Sequence, residues 1–302
     1  MTDNDLPPRD FIGYGPTPPH PRWPGGARLA LNIVLNVEEG SERSFPDGDE
    51  MTEDGLTEGG VGGFKGRDLA AESMFEYGAR AGFWRILRTL AERGVTATTF
   101  ACAVAIERNP AIAAAIRSAG FDVCCHGYRW EPVQLLGEER ERELVAKAVA
   151  SLTETLGSPP SGWYCRYAPS VFTRRIIAEH GGFLYDSDSY ADDLPYYVQV
   201  AGQPHLVVPY TLTNNDTKFV RGGISTGRQF ADYLIEAFDV LYREGAETPK
   251  MMSVGLHSRI IGHAARISGL ERFLDHVARH DDVWICRRED IARHWLTEHK
   301  AA

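Results

Sequence analysis

No run of about 18 apolar residues occurs anywhere in the chain, so no membrane-crossing helix is expected. Cysteine is scarce, five in 302 residues, and two of these are the neighbours Cys124 and Cys125. An odd count without Cys-x-x-Cys or Cys/His zinc spacing excludes a disulfide framework and predicts reduced, mostly buried thiols. No Gly-x-Gly-x-x-Gly turn follows a strand and no Gly-x-x-x-x-Gly-Lys-Ser/Thr loop is present, so nucleotide cofactors lose support. Basic residues are outnumbered, 32 Lys and Arg against 42 Asp and Glu, giving a net charge of −10. Nucleic acid and anionic membrane need clustered Lys and Arg, and both are excluded as partners. The start, Met1-Thr2-Asp3-Asn4-Asp5-Leu6-Pro7-Pro8, lacks the basic, apolar, small-residue order of a secretory signal, so the expected compartment is the cytoplasm.

What is present is the composition of an ordinary soluble protein, 43% hydrophobic and 25% charged. Leu29, Leu31, Ile33, Leu35 and Val37 alternate as one side of a buried strand. A helical stretch from about Phe75 to Glu92 follows, then a β-branched run from Val95 to Cys102. Asn109-Pro110 is an N-cap followed by a tolerated first-turn proline, and predicts a helix to Ser118 ended by Gly120. Further strands are expected at Phe121, Ser161, Phe183, His205 and Val283, with helices over Gly137–Leu156, Thr173–Glu179, Gln229–Arg243 and Ile267–Arg279 and at the C-terminus. Seven or eight β/α units in one domain, residues 1–302, predict an α/β fold, a distorted (β/α) barrel of parallel strands whose active site lies at their C-terminal ends. Residues 44–71, rich in Gly, Asp and Glu, are too long for an ordinary connection and read as a lid over the barrel mouth or as part of a subunit contact.

Polar groups recur where these strands stop. Glu38-Glu39 follows the first strand, His126 follows Phe121–Cys125, Arg166 follows Ser161–Cys165, and His257 follows Met251–Leu256. Each has a plainer reading. Glu38-Glu39 could be a solvated strand end, His126 a histidine bonded to backbone, and Arg166 half of a structural pair with Asp186 or Asp188. Trp130 stands four residues after His126, where a second His would complete a metal pair; an indole only donates hydrogen bonds and cannot ligate. Tyr128, Trp130 and Trp163 are the aromatic candidates for substrate contact, Trp130 being equally a core residue. His263, His276, His280, His294 and His299 read as surface or structural.

In this order, the residues resemble the polysaccharide deacetylases of the NodB-homology type. The closer resemblance is to the metal-independent bacterial allantoinases of that superfamily. It is carried by Asn36-Val37-Glu38-Glu39-Gly40, His126-Gly127-Tyr128-Arg129-Trp130, Gly181-Gly182-Phe183-Leu184-Tyr185-Asp186-Ser187-Asp188 and Arg287-Arg288-Glu289-Asp290-Ile291, and spans about Pro8 to His299. The resemblance implies a distorted barrel, hydrolysis of a carbon–nitrogen amide bond in a small cyclic amide such as allantoin, and a homo-oligomer, a tetramer in that family. It implies no cofactor, with a weakly held divalent metal through Glu39 and His126 left open. Glu38 or Glu39 would then be the base, His126 and Arg166 would stand near the oxyanion, and His257 would be the acid. Cyclic imide hydrolysis, deacetylation of N-acetylated sugars and a non-catalytic small-ligand barrel are the alternatives.

Overall fold

A computed structural model describes residues 8–59, 62 and 64–301; Met1–Pro7, on which the reading of the chain's start rests, lie outside them. One nine-stranded sheet organises the chain. Its strands are β1 (Leu29–Val37), β2 (Thr98–Ala101), β3 (Asp122–Cys125), β4 (Gly162–Trp163), β5 (Tyr185–Asp186), β6 (Tyr196–Val200), β7 (Gln203–Val207), β8 (Lys250–His257) and β9 (Val283–Ile285). The helices between them are α1 (Leu69–Tyr77), α2 (Phe83–Glu92), α3 (Ala103–Arg108), α4 (Pro110–Ala119), α5 (Glu138–Leu156), α6 (Thr173–His180), α7 (Lys218–Arg221), α8 (Gly227–Glu244), α9 (Ala264–Val277) and α10 (Arg288–Glu298). All ladders are parallel except β6 with β7. The order β6-β7-β5-β4-β3-β2-β1-β8, with β9 also on β1, curls the sheet into a distorted barrel left open between β8 and the β6–β7 hairpin. No helix among the described residues is long and apolar enough to cross a membrane.

β1 is central and every one of its residues is buried. Leu29, Leu31, Ile33, Leu35 and Val37 join the larger apolar cluster, whereas Ala30 and Val34 join a second cluster with Phe100, Tyr185, Tyr210 and Trp295. Asn32 and Asn36 share the period-2 side of Ala30 and Val34, so that face carries polar anchors as well. α4 forms as expected: the Asn109 side chain accepts from the Ile112 N–H, and Gly120 closes the helix in the left-handed region. All five cysteines are free and buried.

Three features differ from the expectation. The stretch from Phe75 is broken by a π-helical turn over Gly78–Gly82. Glycine is required on both sides of it: a Cβ on Gly78 would lie 2.6 Å from Glu39 Oε1, and one on Gly82 would overlap the Ser258 carbonyl. The turn thus brings bare backbone against the segment that follows His257. α3 was hidden because Ala103–Arg108 is one short turn running directly on from β2. β7 stands where a strand was expected at His205, but its pairing with β6 was hidden because Ala201 and Gly202, both at positive φ, do the work that Asn-Gly usually signals.

Candidate active site

Glu38 leaves the end of β1 fully buried and becomes the hub of a polar cluster. Its Oε1 is 3.2 Å from His126 Nε2 and 3.6 Å from His257 Nε2. Its Oε2 is 2.7 Å from Arg259 Nη1 but off the N–H axis, an ion pair without a hydrogen bond. Burial alone would push this carboxyl up; Arg259, His257 and His126 outweigh it and hold Glu38 well below the usual carboxylate range.

Each imidazole is oriented from behind. His126 Nδ1 is 2.9 Å from the Tyr164 carbonyl, which can only accept, so Nδ1 carries the hydrogen and Nε2 faces Glu38. A proton must therefore lie between Nε2 and the carboxylate in this contact. His257 Nδ1 lies 2.6 Å from Asp216 Oδ1, and Asp216 Oδ2 accepts the backbone N–H groups of His257 and Ile261. Saturated in this way, Asp216 fixes the tautomer that points His257 Nε2 at Glu38. Burial lowers the His257 pKa, but the Asp216 and Glu38 carboxylates win and the net direction is upward from 6.5.

Glu38, His126 and His257 line a narrow cleft together with Asn36, Trp130, Tyr164, Arg166, Tyr167 and Tyr210. Arg166 Nη1 donates to Glu53 Oε2 at 2.7 Å and to the Trp130 carbonyl at 3.0 Å, while its buried Nε makes no hydrogen bond among the described residues. The Trp130 ring has the Arg166 guanidinium 3.6 Å and the Arg259 guanidinium 4.9 Å from its centroid. Tyr167 takes φ 63°, a left-handed conformation rare for an aromatic residue, and so adds its ring to the cleft beside Trp130. The segment 44–71 contributes Glu53 to Arg166 and the Leu56 carbonyl to Arg259 Nε, and it therefore packs against this cluster. A larger cavity of about 400 Å³ lies at the open seam of the barrel, sharing Tyr210 and Leu212 but not Glu38, His126 or His257.

Of the residues singled out in the sequence, Glu38, His126, Trp130, Arg166 and His257 come together here. Glu39 does not line the cleft: Oε1 accepts from the Arg259 N–H and Nη1, both at 3.2 Å, and Oε2 accepts from the Glu38 N–H. Its carboxyl is the one pushed up, by burial first and by Glu38 after it, so the shift expected of a base falls on the residue that faces away. Tyr128 and Trp163 lie outside the cleft as well. Tyr128 stacks under Lys147 and reaches Glu107, and Trp163 packs edge-on against Phe183 with its N–H on Cys165 Sγ. The reason is the strand period, which turns Trp163 to the face opposite Tyr164. Arg166 pairs with Glu53 rather than with Asp186, which is held by Arg174 and His205, or with Asp188, which accepts from the Cys165 N–H.

Two residues were missed. Arg259 stands two positions after His257 and obeys the same strand-end rule; Asp216 sits in an irregular segment where no periodicity marked it.

The deacetylase branch of the fold implies a metal, and these side chains do not fit one. Trp130 occupies the position of the second His, Glu39 is committed to Arg259, and the Arg259 guanidinium already supplies positive charge between the two carboxylates. Among the described residues, the one group of three His, Cys, Asp or Glu side chains whose ligand atoms all lie within 4.8 Å of one another is elsewhere, at α8 and α9.

Comparison with known proteins places the chain in a family. The polysaccharide deacetylase family profile matches residues 66–181. A Schizosaccharomyces pombe protein ascribed to that family is 38% identical, the match covering 96% of this chain and 98% of the relative. A Pseudomonas aeruginosa PAO1 crystal structure, also ascribed to a polysaccharide deacetylase, is 50% identical with a TM-score of 0.92, covering 98% of this chain and 100% of that one. The crystal structure of PuuE allantoinase is 48% identical with a TM-score of 0.92, covering 98% and 99%. With relatives this similar over nearly its whole length, the chain belongs to the polysaccharide deacetylase family.

Proposed function

We propose that this protein hydrolyses a carbon–nitrogen bond in a small cyclic amide, opening the hydantoin ring of allantoin to allantoate with side chains alone. The observation that carries the reading is the Glu38 carboxylate held between two oriented imidazoles and beside Arg259, at the wall of a narrow cleft. The 48% identity to PuuE allantoinase supports the same substrate class.

The chemistry divides among the residues in the cleft. Glu38 takes a proton from water as its oxygen attacks the ring carbonyl carbon. The carbonyl becomes an oxyanion on the side of the cleft that the Arg166 guanidinium lines, while His126, with Nδ1 on the Tyr164 carbonyl and Nε2 on Glu38, holds the carboxylate in place. As the ring C–N bond breaks, the proton on His257 Nε2 goes to the departing nitrogen, and the proton on Glu38 then returns to His257. Asp216 acts through His257, by keeping Nδ1 protonated and stabilising the imidazolium.

The pH dependence follows from the two shifts. Glu38 must be ionised, and its lowered pKa extends that state downward in pH; His257 must be protonated, and its raised pKa extends that state upward from 6.5. We expect kcat/KM to be flat through the acidic range and to fall about tenfold per pH unit above the His257 pKa. Asp216→Asn should move that limb to lower pH and reduce kcat/KM at neutral pH by at least about 10²-fold. A rate that climbs with pH through this window would mean that His257 acts unprotonated, which contradicts the assignment.

A further inference from the structure

The outer face of the helical layer carries a three-residue cluster that the catalytic cleft does not use. Asp239 lies on α8, His276 in the last turn of α9, and His280 four residues on, in the loop that leads to β9. The ligand atoms of all three lie within 4.8 Å of one another. His276 Nε2 is 2.7 Å from Asp239 Oδ1, which by itself is an ordinary surface ion pair. His280 is not explained by that pair.

The His280 ring is held in a fixed tautomer. Its Nδ1 is 3.0 Å from the His276 carbonyl, which can only accept, so Nδ1 carries the hydrogen and Nε2 keeps its lone pair. A histidine ligand in a metal site is typically fixed in this way, by donating its other N–H to a carbonyl or carboxylate. The two imidazoles are 4.7 Å apart, and the buried Phe238 packs edge-on against both, at 5.6 Å and 5.0 Å. Tyr242, stacked on Phe238 at 5.6 Å, also packs edge-on against His280 at 4.9 Å. Both rings are therefore restrained by packing before any ion arrives, while Asp239 remains half-exposed and His276 partly so, which leaves a path from solvent.

We infer that Asp239, His276 and His280 form a binding site for a borderline divalent transition metal such as zinc, separate from the catalytic cleft. Two imidazoles and one carboxylate match that class, and bonds of about 2.0–2.2 Å would set the ligand atoms roughly 3.3 Å apart, within reach of small side-chain adjustments. Water completes the coordination. The ion ties the C-terminal end of α9 to α8, and zinc found on the purified protein would sit here.

The test is zinc titration of the metal-stripped full-length protein against a chromophoric chelator, with thermal stability followed in parallel. One equivalent should bind and raise the unfolding temperature. The double variant His276→Ala/His280→Ala should lose at least about tenfold in affinity together with the thermal shift, and His280→Gln alone should also weaken binding. His126→Ala should bind zinc as the unaltered protein does. Absence of a zinc equivalent in the unaltered protein, full affinity in both helix variants, or loss of the equivalent in His126→Ala would each overturn the assignment.

Discussion

Glu38→Gln is expected to lower kcat/KM for allantoin by about 10²–10⁴-fold, mostly in kcat, with the folded state retained by circular dichroism. Gln keeps the shape and loses the proton acceptor, and Glu38 is the carboxylate that both imidazoles face, at 3.2 Å and 3.6 Å. The neighbouring change, Glu39→Gln, should have an effect at least about tenfold smaller, because Glu39 braces Arg259 from outside the cleft. Steady-state kinetics of the two variants side by side decide between adjacent residues that the sequence could not rank. A loss in Glu39→Gln equal to that in Glu38→Gln would move the base to Glu39 and with it the proposed path of the water.

The second large effect concerns stability. Arg288 is fully buried at the start of α10, and no carboxylate partner faces it among the described residues. Its guanidinium donates instead to Asn32 Oδ1 and Ser253 Oγ, both at 2.9 Å, to Ser187 Oγ at 2.9 Å, to the Pro209 carbonyl at 2.8 Å and to the Val208 carbonyl. These partners belong to β1, to β8, to the turn after β5 and to the segment after β7. The guanidinium thus spans the seam where no ladder joins β8 to the hairpin, and does by side chain what a strand pair would do by backbone. Arg288→Met leaves several buried acceptors unpaired and should cost about 3 kcal/mol or more in denaturant unfolding. At roughly 2–4 °C per kcal/mol for a chain of this size, the melting temperature should drop by about 6–12 °C. Arg288→Lys, with three donors and no planar fork, should fall between the two. An unchanged melting temperature for Arg288→Met would show that the seam is held by packing alone.

Arg288 also illustrates what the sequence could and could not disclose. Arg287-Arg288-Glu289-Asp290 stood out as a motif, yet nothing local says that the second arginine points into the barrel, because its partners lie 35 to 256 positions away in sequence. The barrel itself was legible: strand period, caps such as Asn109 and glycine stops such as Gly120 are local signals, and so is the rule that polar groups gather where parallel strands end. That rule found Glu38, His126, Arg166 and His257. It also brought in Tyr128 and Trp163, because within a few residues of a strand end the period-2 alternation sends side chains to both faces, and sequence does not say which face holds the cleft. Asp216 escaped for the opposite reason. It comes from an irregular segment that joins β8 through the single bridge Asn215 to Gly255, and its role appears only when that bridge forms. Which of Glu38 and Glu39 faces the cleft is likewise set by distant residues, the Arg259 clamp and the glycine turn at Gly78, which hold Glu39 outside it.

The central claim, a cyclic-amide hydrolase that works with Glu38, His126, Arg166 and His257 alone, is tested most directly by turnover of allantoin with metal-stripped protein, before and after zinc and other divalent ions are added back. The account predicts ring opening to allantoate at the same kcat/KM in both conditions, whatever zinc the α8–α9 site takes up. Activity that appears only with added metal would contradict the side-chain mechanism. Allantoin left intact in both conditions, alongside release of acetate from an N-acetylated sugar, would contradict the substrate.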